Sequence, residues 1–351
     1  MPSRPTLAAV AAACGVSVAT ASRALRGIGE MSPDTRRRVA REAQRMGYDR
    51  AQTARGRPGR RADTLLDLVL SHVDGAWADE VIAGARAEST RLGFDLVLTA
   101  EREDPDDDWP ERLRARRPPA AILGLLQPTD RQLAAVSAVG IPVVLLDPRG
   151  EPRHPLPSVR STDPTGVQDA ARLLLDRGVH RILVVEGAPS YRFGRDRVAG
   201  FLGGLTAAGT IRAAVVPGAA GVPDGAGLPT VERVRASWGA DQAREAARPA
   251  LARAAADGVV VGVFACSDEM AVGVYRAAAD TGLVVGRDVL VVGFDDIPAA
   301  AWLSPPLTTV RQPIREMAAA AVRTAAAIVD ATPASAGDSE FPTRLVRRGS
   351  A

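Results

Sequence analysis

Several apolar runs in this chain end on polar residues that could converge on a ligand. Asp147 ends IPVVLLD, Ser267 and Asp268 end VVVGVFACSD, Asp295 and Asp296 end VLVVGFDD, and Arg195 and Arg197 follow RILVVEG. Carboxylates and a guanidinium brought into one cleft can hydrogen-bond the vicinal hydroxyls of a sugar while an aromatic ring covers its apolar face. Trp77 and Trp238 are the candidate rings. Aspartates just after strands also cap the helices that follow. Asp268 and Asp296 are expected to cap or to stabilise a lobe, whereas Asp147, Arg197 and Asp295 are expected to reach the ligand. His72, at the end of the first core run, is a further candidate contact; His154 reads as loop surface and His180 as a strand entry.

Catalytic chemistry finds little support. Where a Walker or dinucleotide loop would follow the first strand, the chain reads LVLSHVDGAWADE. The three histidines lack metal-ligand spacing and there is no G-x-S-x-G elbow. No catalytic residue, metal or cofactor is therefore expected.

The elements that must carry the polar residues are legible from Thr64 onward. LLDLVLS, FDLVLTA, AAILGLL, IPVVLLD, RILVVEG, VVVGVFAC and VLVVGFD are continuous apolar runs of strand length, as strands covered on both faces should be. Helical patterns separate most of them, for example at 78–92, 130–139 and 165–177. The plan is a parallel α/β core, and its length favours two similar lobes over one large sheet. The polar loop 160–164 reads as the crossover between lobes. Ligands of open α/β sheets sit beyond the carboxyl ends of the strands, where the polar residues stand.

The first fifty residues have a different character. LAAVAAACGVSVATASRAL places Ala11, Gly15 and Ala21 where two helices crossing closely need small residues and a turn with positive φ, with Val10, Cys14, Val16 and Ala24 around them. Ser17 stands as N-cap of a second helix that offers Val18, Ala19, Thr20, Ser22 and Arg23 to a major groove or to phosphates. Ser32 and Pro33 open a third helix with Val39, Ala43 and Met46 on one face and Gly47 as the stop. Thr6, Arg26 and Tyr48 complete the DNA-contact candidates in this head.

Charge agrees with the motif. Residues 1–61 hold 13 arginines against four acids, whereas 62–351 hold 31 basic residues against 37 acidic ones. So concentrated a positive potential suits a polyanion, because neutralising phosphates releases counterions. Between 49 and 63 the chain is nearly free of apolar residues and rich in Gly, Pro and Arg, the signature of a linker. No run of about 18 apolar residues could span a bilayer and no signal-peptide pattern opens the chain, so a cytoplasmic protein is expected. Cys14 and Cys266 fall in different predicted domains and are expected to pack as small apolar side chains.

These residues resemble the LacI/GalR family of bacterial transcription regulators. The resemblance covers nearly the whole chain: TLAAVAAACGVSVATASRAL and MSPDTRRRVAREAQRMGY in the head, then GVHRILVVEG, RDRVAGF, FACSDEMAVGV and VLVVGFDDIPAAAWLSPPLTTVRQP in the core. It implies an all-α helix-turn-helix head (1–48), a hinge (49–63) and a two-lobed, periplasmic-binding-protein-like α/β core with parallel sheets (64–351). The lobes are expected at about 64–160 plus 311–331 and at 163–308 plus 340–348. It also implies a repressor acting as a homodimer on a double-stranded DNA operator, released or tightened by a small effector, often a sugar, with no membrane partner. Val18, Ala19 and Arg23 match recognition-helix positions; Asp147, Arg197, Trp238, Ser267, Asp295 and Gln312 match positions that commonly line the effector pocket.

Three departures stand out. Ser267 replaces a frequent asparagine, and so does Arg26. In the hinge, Ala54 and Arg55 remain but Arg57, between Gly56 and Pro58, replaces the leucine that pries a base step apart from the minor groove. Less operator bending and a steeper salt dependence are expected in consequence. The competing class is a solute-binding or carbohydrate-processing protein sharing only the core fold, for which the basic head has no use.

Overall fold

The computed structural model describes residues 7–26, 31–46, 65–102, 108–162, 164–179, 181–208, 229–331 and 339–351. The chain divides into two compact units, 1–64 and 65–351.

In the first unit, α1 (Leu7–Ala13), α2 (Val18–Arg26) and α3 (Pro33–Arg45) enclose Val10, Ala11, Cys14, Ala21, Ala24, Val39 and Ala43. Gly15 takes φ +62° at the turn, a conformation that other residues rarely adopt. Ser17 Oγ accepts from the Thr20 backbone N–H at 3.0 Å and Ser32 Oγ from that of Thr35 at 3.2 Å, so both expected N-caps are made. Cys14 packs in this small core, as its residue type suggested.

The second unit holds two six-stranded sheets. The first contains β1 (Leu65–Leu70), β2 (Asp95–Ala100), β3 (Ala120–Gly124), β4 (Val143–Leu146), β5 (Ser158–Thr162) and β11 (Ser339–Pro342), in the order β11-β5-β4-β3-β1-β2, with every pair parallel. Helices α4 (Ala76–Leu92), α5 (Trp109–Arg116), α6 (Asp130–Ser137) and α11 (Ile314–Val329) belong to this lobe. The second contains β6 (Arg181–Glu186), β7 (Thr230–Arg235), β8 (Val261–Ala265), β9 (Val289–Asp295), β10 (Thr308–Arg311) and β12 (Arg344–Val346), ordered β12-β10-β9-β8-β6-β7. Its pairs are parallel except β10 with β12. Helices α7 (Pro164–Asp176), α8 (Arg192–Ala207), α9 (Ala240–Asp257) and α10 (Asp268–Asp280) cover it.

Two boundaries differ from expectation. The polar stretch read as a crossover loop is strand β5 as far as Thr162, because pairing with β4 and β11 satisfies its backbone whatever its side chains are. The segment assigned whole to the second lobe, 340–348, is divided: β11 extends the first sheet and β12 the second. Residues 308–311 likewise form one strand of the second sheet, so that lobe runs past 308. Among the described residues the chain passes between sheets after β5, after β10 and after β11. Thr343 ties these passages together: its hydroxyl accepts from Gly166 N–H at 3.2 Å and donates to the Thr162 carbonyl at 3.1 Å.

Candidate effector cleft

The strand ends open on a cleft between the lobes. Trp77, Asp147, Arg197, Trp238, Ser267 and Asp295, all singled out from sequence, line it. Gln312 does not line it but stands behind it. Lying between β10 and α11, it donates from Nε2 to Asp147 Oδ2 (3.0 Å) and Ser161 Oγ (3.1 Å) and accepts from Arg197 Nη2 (3.3 Å). One buried amide thus holds a carboxylate of the first lobe and a guanidinium of the second.

Arg197 is the centre of the site. It is 2% exposed, donates from Nη1 to the Cys266 carbonyl (2.8 Å), and faces Asp295 Oδ1 at 3.4 Å. Its guanidinium carbon lies 3.7 Å from the Phe294 ring centre and 5.1 Å from that of Phe193. Rings on its faces and acceptors at its edges leave it a single orientation. Burial pushes the Asp147 carboxyl above its ordinary value, against the pull of Arg197, Arg192 and the Gln312 amide. Asp147 and Asp295 have φ of +46° and +112°, and Leu125, also in the lining, +55°. Non-glycine residues in that region cost of order 1–3 kcal/mol each and persist only where the surroundings impose them. Here they turn the chain at strand ends so that the side chains face the cleft.

Sequence reasoning missed an aromatic wall. Tyr191 and Phe193, at the start of α8, line the cleft with Trp238, their ring centres 5.2–5.6 Å apart. The signal was the pair of aromatics just before Arg195 and Arg197, in a chain that is only 4% aromatic. Arg192 was missed as well. Buried at the same helix start, it faces Asp147 at 3.4 Å and Asp196 at 2.6 Å, and its backbone N–H donates to the Arg149 carbonyl across the lobes at 2.7 Å. Arg195 turns outward instead and donates to the Pro189 carbonyl at 2.6 Å.

The remaining polar residues divide as expected. Ser267 lines the cleft and also caps α10, its hydroxyl accepting from Met270 N–H at 3.1 Å. Asp296 pairs with Arg348 at 2.5 Å. Asp268 is buried beneath the site, its carboxylate accepting from Thr309 Oγ1 at 2.5 Å and Ile297 N–H at 2.9 Å. Cys266, next to it, has its thiol pushed up to about 12 by burial and is an inert packing group. His72 lines the cleft mouth, His154 lies at the surface within 3.1 Å of Asp130, and His180 lies outside the described residues.

On α2, Val18 is 49% exposed and Thr20 and Ser22 are half-buried. Ala19, Arg23 and Arg26 are in the same helix; their side chains, and Thr6, Tyr48, Arg55 and Arg57, lie outside the described residues.

Three family models match in succession: "Bacterial regulatory proteins, lacI family" over 6–50, "Periplasmic binding proteins and sugar binding domain of LacI family" over 63–224, and "Periplasmic binding protein-like domain" over 171–351. The HTH-type transcriptional regulator MalR of Streptomyces coelicolor is 31% identical over 98% of this chain and 96% of its own. The chain belongs to the LacI family of bacterial regulatory proteins. Among solved structures, a transcriptional regulator CelR–cellobiose complex is 27% identical over 99% of this chain and all of that one, with a TM-score of 0.67. A Lac repressor dimer bound to operator, 24% identical with 99% of both chains covered, shares the fold with a TM-score of 0.68. As a LacI-family member the chain is a transcriptional regulator with a helix-turn-helix head and a two-lobed core. Among the described residues no helix is long and apolar enough to cross a membrane.

Asp268 supplies a test of this family core. Burial, then Asp295, raise its carboxyl well above the ordinary value of 3.8. The folded state therefore holds this proton more tightly than the unfolded state does. That contribution to stability is complete below the unfolded pKa and is lost as pH rises through the folded one. Asp268→Asn keeps both contacts, with the amide oxygen accepting from Ile297 and the NH₂ donating to Thr309. The variant is expected to be more stable than wild type at pH 7, with a flatter dependence of stability on pH. Urea unfolding at several pH values checks it; parallel profiles would place the titration elsewhere.

Proposed function

We propose that this regulator is a repressor that binds a palindromic operator as a homodimer in the bacterial cytoplasm, and that a sugar held in the cleft sets its operator affinity. The observation that carries this reading is the cleft itself. Carboxylates and an immobilised guanidinium face aromatic rings there, in one chain with a basic helix-turn-helix head. Trp77, Asp147, Arg197, Trp238, Ser267 and Asp295 would contact the sugar, with Gln312 holding the charged pair from behind. Related proteins support the class: one structure is a regulator with cellobiose, another a repressor dimer on operator.

The lobes already meet around this site. Arg192 of α8 bonds the Arg149 carbonyl and faces Asp147, both from the first lobe. A ligand that competes for Asp147 or fills the space beside it would change the balance between open and closed lobes, and differential affinity for those states is what shifts an equilibrium. In the head, Ser17, Val18, Ala19, Thr20, Ser22, Arg23 and Arg26 on or before α2 would meet the operator, assisted by Thr6, Tyr48, Arg55 and Arg57.

A thermal-shift screen of sugars and nucleosides on the full chain should return a stabilising sugar, since binding to the native state alone raises stability by mass action. That sugar should then change operator affinity at least tenfold in fluorescence anisotropy, and light scattering should show a dimer. A monomer on an asymmetric site, or a bound sugar without effect on DNA binding, would sink the proposal.

A further inference from the structure

The carboxylates of the cleft are not equally partnered. Asp147 and Asp295 each have a guanidinium at 3.4 Å. Glu269, in the first turn of α10, has no ion-pair partner among the described residues. It lines the mouth of the same cleft, where Oε2 lies 3.7 Å from the place a Cβ on Gly75 would occupy. That puts it against the loop that joins β1 to α4. The titratable groups facing it there are His72, whose Nδ1 is engaged with Ser71 Oγ at 2.9 Å, and Asp74, a second acid. Arg197, the guanidinium in the lining, is taken up by Cys266, Gln312 and Asp295. The lining therefore carries an excess of negative charge in the same cleft as the wall formed by Tyr191, Phe193 and Trp238.

Neutral hydroxyls do not require such an excess. An unpaired carboxylate that shares a cleft with several aromatic rings can recognise an ammonium group, through charge on one side and ring quadrupoles on the other. Resting on the reading of the cleft as a sugar site, we propose that the effector is an amino sugar, with its protonated amine bound between Glu269 and the aromatic wall. The hydroxyls are then left to Asp147, Arg197, Ser267 and Asp295. Glu269 is the residue that sets amine over hydroxyl. It was not among the residues singled out from sequence, because it lies beyond the strand end, in the helix that follows, and resembles an ordinary acid of a helix first turn.

Isothermal titration of the full chain with matched pairs decides the matter: glucose and glucosamine, galactose and galactosamine, cellobiose and the de-N-acetylated disaccharide of chitosan. The amine member of at least one pair should bind tenfold or more tightly than its hydroxyl counterpart, and N-acetylation should remove the advantage. Glu269→Gln should bring the two members within about threefold of each other, through loss of the amine member's advantage. Since Glu269 is at the surface, the variant is expected to fold, and its unperturbed melting temperature checks that. A neutral sugar bound as tightly as its amine, or an amine preference that survives Glu269→Gln, overturns this inference and leaves the sugar reading intact. Failure of every member to bind overturns it too, and the wider screen then decides whether the cleft takes sugars at all.

Discussion

Arg197→Ala is expected to abolish the effector response while leaving operator affinity without effector within about threefold of wild type. The side chain is 2% exposed and joins the Cys266 carbonyl, Gln312 and Asp295, so its removal strips a buried carboxylate of its counter-charge as well as taking away a ligand contact. Truncating one partner of a buried, hydrogen-bonded charge pair costs roughly 2–5 kcal/mol, or about 30-fold to several thousand-fold in affinity. Part of that cost falls on folding, so Asp295→Asn belongs beside it. It removes the partner charge with little change of shape and should lower sugar affinity while the core stays folded. Arg197→Lys should not rescue binding, because a point charge cannot satisfy three acceptors at the edges of a planar group lying between two rings. Calorimetry with the sugar found by screening reads the result, and circular dichroism confirms folding. Unchanged affinity in Arg197→Ala and Asp295→Asn would return both residues to a purely structural role.

Gly187→Ala should be nearly as severe, although the residue touches no ligand. A Cβ there would stand 2.3 Å from Cζ2 of Trp238 and 2.5 Å from two further ring atoms, so the indole occupies the space this glycine leaves. Gly194, on the first turns of α8, leaves a second face open to the same ring, at 2.9 Å. The extra methyl must expel Trp238 from the aromatic wall or shift the end of β6. Overpacking of this kind costs about 1–3 kcal/mol in stability. Loss of a stacking ring should weaken sugar binding by about tenfold or more. Gly203→Ala, in the same helix α8, is the contrasting case. Nothing lies within 4 Å of its added carbon, so the substitution should stabilise by roughly 0.5–1 kcal/mol through helix propensity and leave binding alone. Equal sugar affinity in Gly187→Ala and wild type would mean that Trp238 does not face the ligand.

Legibility along the chain followed local physics. Six of the seven apolar runs became strands buried on both faces, where residues must be almost wholly apolar, and that is visible without any partner. The seventh, FDLVLTA, became the edge strand β2 and is half-exposed, so the expectation that it would be covered on both faces fails there. The strands that escaped notice, β5, β7, β10, β11 and β12, are short, polar or alternating. TVERVR at the edge of the second sheet is half-exposed along most of its length. SVRST is polar, yet it lies between two strands whose backbones satisfy its own. Nothing local separates such segments from loops.

By itself the sequence determined the two-part plan, the caps at Ser17 and Ser32, the positive-φ turn at Gly15, and the strand-end positions of Asp147, Ser267 and Asp295. Each of those rests on spacing, residue type or charge within a few positions. Only the tertiary structure decided which polar residues share one cleft and in what pairing. Gln312 joins Asp147 to Arg197 over separations of 165 and 115 residues. Arg192 and the ring of Tyr191 reach the site because α8 begins beside the first lobe. Glu269 comes to face His72 and Asp74 because its helix begins against the loop before α4. Hydrogen bonds and ion pairs are directional and act over a few ångströms, so their partners follow from the closing of the sheets into two lobes, and no local pattern along the chain encodes that.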